Sequence, residues 1–486
     1  MNGKINLLIS LLLSGIAVAQ SSGAFTSTGA MTTARSGHTA TLLNNGQVLI
    51  AGGGPNFNSP TATAELYDPT RGTFTPTGNM TTPRTGHTAS LLPDGRVIIA
   101  GGYSSSGGTL TLLQPLKTAE IYDPATGIFT STGDMIHARA CSAATGLNNG
   151  QILLSGGVGP GFRVLDAEFY DPTVGSFADA GPYATFRIAL ETCQGAAASL
   201  LPDGRVLIVW EDTFAEIYDS KTGLFTPAGR SPELSYIDGV PTATLLMTGK
   251  VLVAGGGDDT GVHKSAELFD ISTGSFTPTG GMSSAHAGHS ATLLPNGTVL
   301  IAGGPFLSAT TELYDPVSGT FRTGPQMRTG RLGHTATLLN DGRVLIAGGE
   351  ASSLLASEGP SSLAELYTPD VLIPAPVLFS AAGDGQAQGA ILHAGTARLV
   401  TASDPAAAGE AVEIYCAGLA EGSAIPPQVA IGGRLASILY FGDAPGFGGL
   451  NQINVRVPDG VAPGPAVSVR VSYLGRISNE VTVGVR

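Results

Sequence analysis

Four histidines stand at one place in a recurring phrase: His38, His87, His289 and His334, each after a glycine. Imidazoles that share a position in a repeat can converge on a metal if their rings face one another. Arg35, Arg84, Arg139 and Arg331 recur three residues before that position. An Arg-x-Gly-His phrase written once per repeat is better explained by hydrogen bonding within the scaffold, with the recurring Glu65, Glu120 and Glu312 as partners. Metal binding at the four histidines is the lesser expectation, and no cofactor is expected.

Cys141 and Cys193 fall near the starts of consecutive repeats and can form a disulfide, which leaves Cys416 over. The pair Asp258 and Asp259 sits in a glycine-bounded stretch and has the chemistry, without the number of ligands, for calcium. No G-x-S-x-G, HExxH or Walker phrase occurs, and GGVGPG at 156–161 precedes a strand-like segment, so its glycines serve a turn.

The elements that must position these groups are legible from the repeat itself. RTGHTASLLPDGRVIIAGG at 84–102 returns as RLGHTATLLNDGRVLIAGG at 331–349. The full unit has four strand-length parts: HTATLL, RVLIAGG, AELYDP and GTFTPTG. Its third part is anchored at Tyr67, Tyr122, Tyr170, Tyr218, Phe269, Tyr314 and Tyr367, 45 to 55 residues apart. That period suits a four-stranded sheet per unit. RVLIAGG is apolar on both faces, so each sheet must be covered on both sides, which a ring of sheets achieves.

The fourth part follows units one to six, at Phe74, Phe129, Phe177, Phe225, Phe276 and Phe321, and is missing after the seventh. FTSTG at 25–29, identical to 129–133, precedes the first unit. The N-terminal strand is therefore expected to complete the last sheet and to remove an exposed edge.

This pattern resembles the kelch repeat and implies an all-β chain: a seven-bladed kelch β-propeller over 24–370, closed by the N-terminal strand. Residues 375–486 lose the repeat and carry strand-like runs such as AVEIYC and NQINVRV between Gly-Pro turns. They resemble the Ig-like β-sandwich that ends many secreted bacterial proteins. Galactose oxidase is similar in outline, with a secretory signal, a kelch ring and an Ig-like domain, and its relatives hold copper through two Tyr and two His. Cys141 lies where that family places a Cys. No Tyr-His dipeptide occurs here, and the positions before the inner strands read SGH, TGH, ACS, QGA, GVP, AGH and LGH. The resemblance thus implies the architecture without the copper-site motif.

Lys4, the apolar run from Ile5 to Ile16 and Ala17-Val18-Ala19 read as a secretory signal over 1–19 cleaved near Ala19. The expected location is extracellular or periplasmic, with no membrane span in the mature protein. The 37 acidic against 24 basic side chains, net −13 and without a basic run, argue against a nucleic-acid partner. The mature chain is expected to act as a monomer.

Second-to-third loops and the crossings between units vary, whereas the NNG and PDG turns do not. Binding residues gather on variable loops of rigid scaffolds. Phe57, Tyr103, Phe162, Arg163, Asp258, Asp259, His263 and Phe306 are the resulting candidates for contact with a glycan or protein ligand. The expected role is a non-catalytic binding or surface-interaction module. The alternative is an extracellular carbohydrate-active enzyme of the kelch class: a divergent galactose oxidase-like copper oxidase, or a hydrolase or lyase.

Overall fold

The computed structural model describes residues 23–486 apart from 56–58, 106–112, 161–165, 185–195, 211–213, 231–240, 259–260 and 354–355. The expected secretory signal lies outside the described residues. Among the described residues there is no α-helix; a single 3-10 turn, Pro305–Leu307, interrupts an otherwise all-β chain. No helix among the described residues is long and apolar enough to cross a membrane.

Each repeat folds as the strand-length parts suggest. Strand β1 (Ala24–Ser27) comes first, and then β2 (Thr39–Leu42), β3 (Val48–Ala51), β4 (Ala64–Asp68) and β5 (Thr73–Pro76) form the first antiparallel sheet in that order. Its register sets Val48 against Tyr67 and Tyr67 against Phe74. Six further sheets repeat this plan, so seven four-stranded sheets occur among the described residues. The seventh takes three strands from its own repeat, Thr335–Leu338, Val344–Ala347 and Ala364–Thr368, and its outer strand is β1. Phe25 pairs with Tyr367 there, as Phe74 does with Tyr67 in the first sheet.

Why the second strands are apolar on both faces is now evident: all four residues of β3 are buried, and the same holds for Val97–Ala100, Val206–Val209 and Val344–Ala347. Val48 and Ile50 pack towards Leu345 of the seventh sheet, while Leu49 and Ala51 pack towards Val97 and Ile99 of the second. The alternating residues of one strand thereby enter two different cores. The first strands touch in sequence, β2 to Thr88–Leu91 and onward sheet by sheet, and Thr335–Leu338 touches β2 again. Met31, Met80, Met135, Met282 and Met327 are buried in these inter-sheet cores, where an unbranched side chain fills an irregular gap.

Residues from Val377 onward form two five-stranded sheets around a separate core that includes Val412, Ile414, Val429, Ile453, Val469 and Val471. One sheet holds Ala411–Ala417 and Phe447–Arg456; the other holds Gln428–Ile431 and Gly464–Tyr473. In the second sheet Val429 and Ile431 face this core, and the alternate Gln428 and Ala430 are turned outward.

Candidate binding face

The segments that cross from one sheet into the next carry the Arg-x-Gly-His phrase. Arg35 donates from Nη2 to Glu65 Oε1 at 2.9 Å and from Nη1 to the Gly52 carbonyl at 2.7 Å. Glu65 also accepts the Thr32 amide at 2.7 Å. The pairs Arg84–Glu120, Arg139–Glu168 and Arg331–Glu365 repeat the arrangement at 2.7, 2.7 and 3.0 Å. All eight side chains are at most 2% exposed. A buried charge pair is tolerable only when its remaining hydrogen-bonding capacity is met, and the backbone carbonyls and amides of the crossing meet much of it. Each guanidinium thus clamps the crossing onto the sheet it is about to enter. Expected partners Glu65 and Glu120 take this role, whereas Glu312 accepts from His286 Nε2 at 3.2 Å, because His286 replaces the arginine in the sixth unit. Glu168 and Glu365 were not expected as partners, although AEFYD and AELYT occupy the same repeat position.

The four repeated histidines bond sideways to the preceding sheet. His38 Nε2 meets Thr335 Oγ1 at 3.1 Å, His87 meets Thr39 at 3.0 Å, His289 meets Thr242 at 3.0 Å and His334 meets Ser290 at 2.9 Å. Burial, followed by a neighbouring charge (Arg35, Arg84, His286 and Arg331 respectively), lowers each imidazole to about 3, so the rings are neutral. Each Cε1 edge lies over the first glycine of the preceding sheet's pair: a Cβ on Gly52 would stand 2.6 Å from His87 Cε1, and one on Gly348 equally close to that of His38. The second glycine of the pair donates to the carbonyl of the next clamping residue, as from Gly53 to Arg84 at 2.9 Å. Gly-Gly and Gly-His are therefore two halves of one joint between sheets.

In the fourth sheet the joint differs. Trp210 stands where other units have a glycine, and its ring edge fills the space beside Gly156 of the third sheet. Tyr183 packs edge-on against Trp210 with ring centroids 4.6 Å apart and accepts the Gly156 amide at 2.6 Å; burial raises its phenol to about 12. The one tryptophan of the chain thus occupies a site that a histidine serves elsewhere.

The two ends of the assembly are unlike. At the end bearing the NNG and PDG turns, the C-terminal sheets dock: the Ala375 amide donates to the Asn340 carbonyl at 2.7 Å, the Ile477 amide to Asn340 Oδ1 at 2.9 Å, and the Ala424 amide to the Met247 carbonyl at 2.7 Å. The buried Arg476 donates to the Ile373 carbonyl at 2.5 Å. This end, whose NNG and PDG turns are uniform in the sequence, is in part an interface between domains.

The crossing end carries the variable loops. Around its centre a backbone chain links neighbouring crossings, Gly86 N to Gly37 O at 2.9 Å and Cys141 N to Gly86 O at 2.7 Å. Cys141 adopts φ 58°, the left-handed conformation that Gly37 and Gly86 take at the same position. It is disulfide-bonded; its expected partner Cys193 lies outside the described residues. Cys416 is free, buried in the C-terminal core, and burial pushes its thiol up to about 12.

Of the expected contact residues, Tyr103 begins a short ribbon, Tyr103–Ser105 paired with Leu113–Pro115. It is buried, and its amide donates to the Thr85 carbonyl at 2.8 Å. Its ring therefore belongs to the base of the loop. Asp258 lies in the hairpin Gly257–Asp258 with Gly261–Val262, half-buried His263 follows it, and Phe306 lies in the turn Pro305–Leu307. Phe57, Phe162, Arg163 and Asp259 lie outside the described residues. One feature escaped sequence reasoning: the Arg230 guanidinium lies 4.4 Å from the centre of the Phe214 ring, which is 37% exposed. Phe214–Asp219 and Leu224–Arg230 are longer than their counterparts, and FAEIYD paired with LFTPAGR carries that signal.

The kelch motif matches residues 84–136. No curated protein matches the chain. Among solved structures, a fungal alcohol oxidase of the AA5 family, described as catalytically diverse and in complex with copper, superposes with a TM-score of 0.61 at 19% identity, covering 96% of this chain and 99% of that one. At that identity the likeness speaks for the fold alone. The chain thus carries a kelch motif and shares its overall fold with that oxidase.

Copper is the group that such a fold brings to mind. Each of the four recurring imidazoles spends Nε2 on a neighbouring hydroxyl, and no cluster of three or more His, Cys, Asp or Glu that could hold a metal occurs among the described residues. Among the described residues the four repeated imidazoles do not gather into a metal centre; each keeps a buried Nδ1 without a partner.

Proposed function

We propose that the chain is a secreted, non-catalytic binding or surface-interaction protein. In this reading a signal over 1–19 exports it, 24–370 form a seven-bladed kelch ring closed by β1, and 375–486 form an Ig-like domain. The monomer takes a glycan or protein ligand on its crossing face, without cofactor or nucleic acid. One observation carries the reading: the chemically capable side chains that repeat, Arg35 with Glu65 and His87 with Thr39, hold the sheets together. What varies from sheet to sheet is left for recognition, and it gathers at the end opposite the domain interface.

The test is an array of glycans and peptides probed with the mature chain, alongside His263→Ala and Arg230→Ala. Ligand capture weakened by either change, with thermal stability retained, supports the reading; no capture on any array overturns it. A second reading, an extracellular carbohydrate-active enzyme, is favoured by the whole-length likeness to a copper-bound alcohol oxidase. Turnover of a sugar by the metal-supplemented protein would select it.

A further inference from the structure

The end of the ring covered by the C-terminal domain contains a cavity of about 410 Å³. Its walls come from both domains. The first strands of the ring carry small residues on the side facing the centre, so Thr41, Ser90 and Thr337 line it from the first, second and seventh sheets. The facing wall is the outward side of the second C-terminal sheet, where strand alternation turns Gln428, Arg470 and Ser472 away from their own core.

Two properties define what fits. Among the described residues no hydrogen bond is made by the hydroxyls of Thr41, Ser90, Thr337 and Ser472 or by the Gln428 side-chain amide, so their capacity is offered to whatever fills the space. The only charged group in the lining, Arg470, is already paired with Glu480. Small-molecule sites favour junctions between domains, have volumes of about 300–1,000 Å³, and combine apolar walls with a few convergent polar groups. Leucine and alanine side chains supply the apolar part here.

We propose that this cavity is a binding site for a neutral polyhydroxylated molecule, a sugar or cyclic polyol of one or two rings. Hydroxyls of such a ligand reproduce the hydrogen bonds of the water they displace, while its C–H faces meet the apolar walls. An ionic ligand would meet a single charged group, Arg470, already shared with Glu480. The site lies at the opposite end from the crossing face, so the two assignments stand or fall separately.

Calorimetry and ligand-observed NMR on the full chain, with glucose, galactose, a disaccharide and inositol as probes and with glucuronate and glucosamine as charged comparators, test it. At least one neutral probe should bind in the millimolar range or tighter, and better than either comparator. Gln428→Ala should weaken it by about tenfold or more, and Ser472→Phe should abolish it by filling the space, while Val317→Ala, at an exposed position outside the cavity, leaves it unchanged. Gln428→Ala only removes atoms, so it keeps the test intact if the phenylalanine disturbs domain docking. Absence of binding by every neutral probe, equal binding of the charged comparators, or undiminished binding by both variants would overturn the assignment. Sugar capture that persists in both variants but is lost in His263→Ala belongs to the crossing face.

Discussion

Phe25 and Tyr367 lie 342 residues apart in the chain, yet their rings pack with centroids 5.2 Å apart, tilted by 50°, on directly paired strands. The geometry matches Tyr67 with Phe74 at 4.8 Å and 45°, where both residues come from one repeat. The seventh sheet is thus completed by the first described strand of the chain.

Removing this contact should unlatch the sheet. Phe25 is 9% exposed, and Phe25→Ala is expected to cost about 3–5 kcal/mol, the usual range for emptying such a site. Deleting 23–28 should do more, because it bares the edge of Ala364–Thr368 and invites association. Denaturant unfolding and light scattering of the two variants check these outcomes.

The clamps give a second prediction. Glu120→Gln removes the countercharge of Arg84 while both side chains remain buried, so a loss of about 3–5 kcal/mol is expected. Arg84→Met combined with Glu120→Leu should be markedly less damaging than the single change, since no uncompensated charge remains. Urea denaturation of the three proteins distinguishes them.

The joint between Gly52 and His87 predicts coupling. Gly52 has φ 63°, and a Cβ there would also stand 2.6 Å from the Arg84 carbonyl. Gly52→Ala should therefore destabilise the protein even when His87→Ala gives the imidazole's space away. The double-mutant cycle should show a coupling of about 0.5–3 kcal/mol, the range for residues in contact, with the residue at 52 retaining a backbone penalty.

Much of this was legible in the sequence for a physical reason. The apolar run on both faces of RVLIAGG, the aromatic anchors from Tyr67 to Tyr367 and the displaced FTSTG are each dictated by packing that every sheet must solve alike. Exceptions were harder to read. His286 in place of an arginine and Trp210 in place of a glycine break the repeat visibly, but the packing that each makes is a solution of one sheet that no other copy shows. Domain docking through Asn340 uses backbone groups and outward strand positions, which leave little trace in composition. Candidate contacts on the variable loops, such as Tyr103, could be located but not oriented, since a loop's conformation depends on its neighbours more than on its own residues.

Acid should loosen the inter-sheet joints. His38, His87, His289 and His334 fall from the ordinary 6.5 to about 3 in the folded chain. The unfolded chain therefore binds more protons between those values, and stability rises with pH across that window. Their contribution is fully present above about 6.5 and is lost as pH falls towards 3, by up to about 1.4 kcal/mol per pH unit for each imidazole. Melting temperatures measured from pH 7 to pH 3.5 should fall steadily, and less steeply in His334→Asn.

In the function proposed above, residues repeated from sheet to sheet build the ring and leave no metal-centred chemistry behind them. Copper titration of the purified mature chain, with metal content, visible absorption and sugar-dependent peroxide release read on the same sample, tests this most directly. The predicted result is substoichiometric copper after dialysis, no radical absorption band and no peroxide. One tightly held copper per chain, with peroxide formed from a sugar or alcohol, would contradict it.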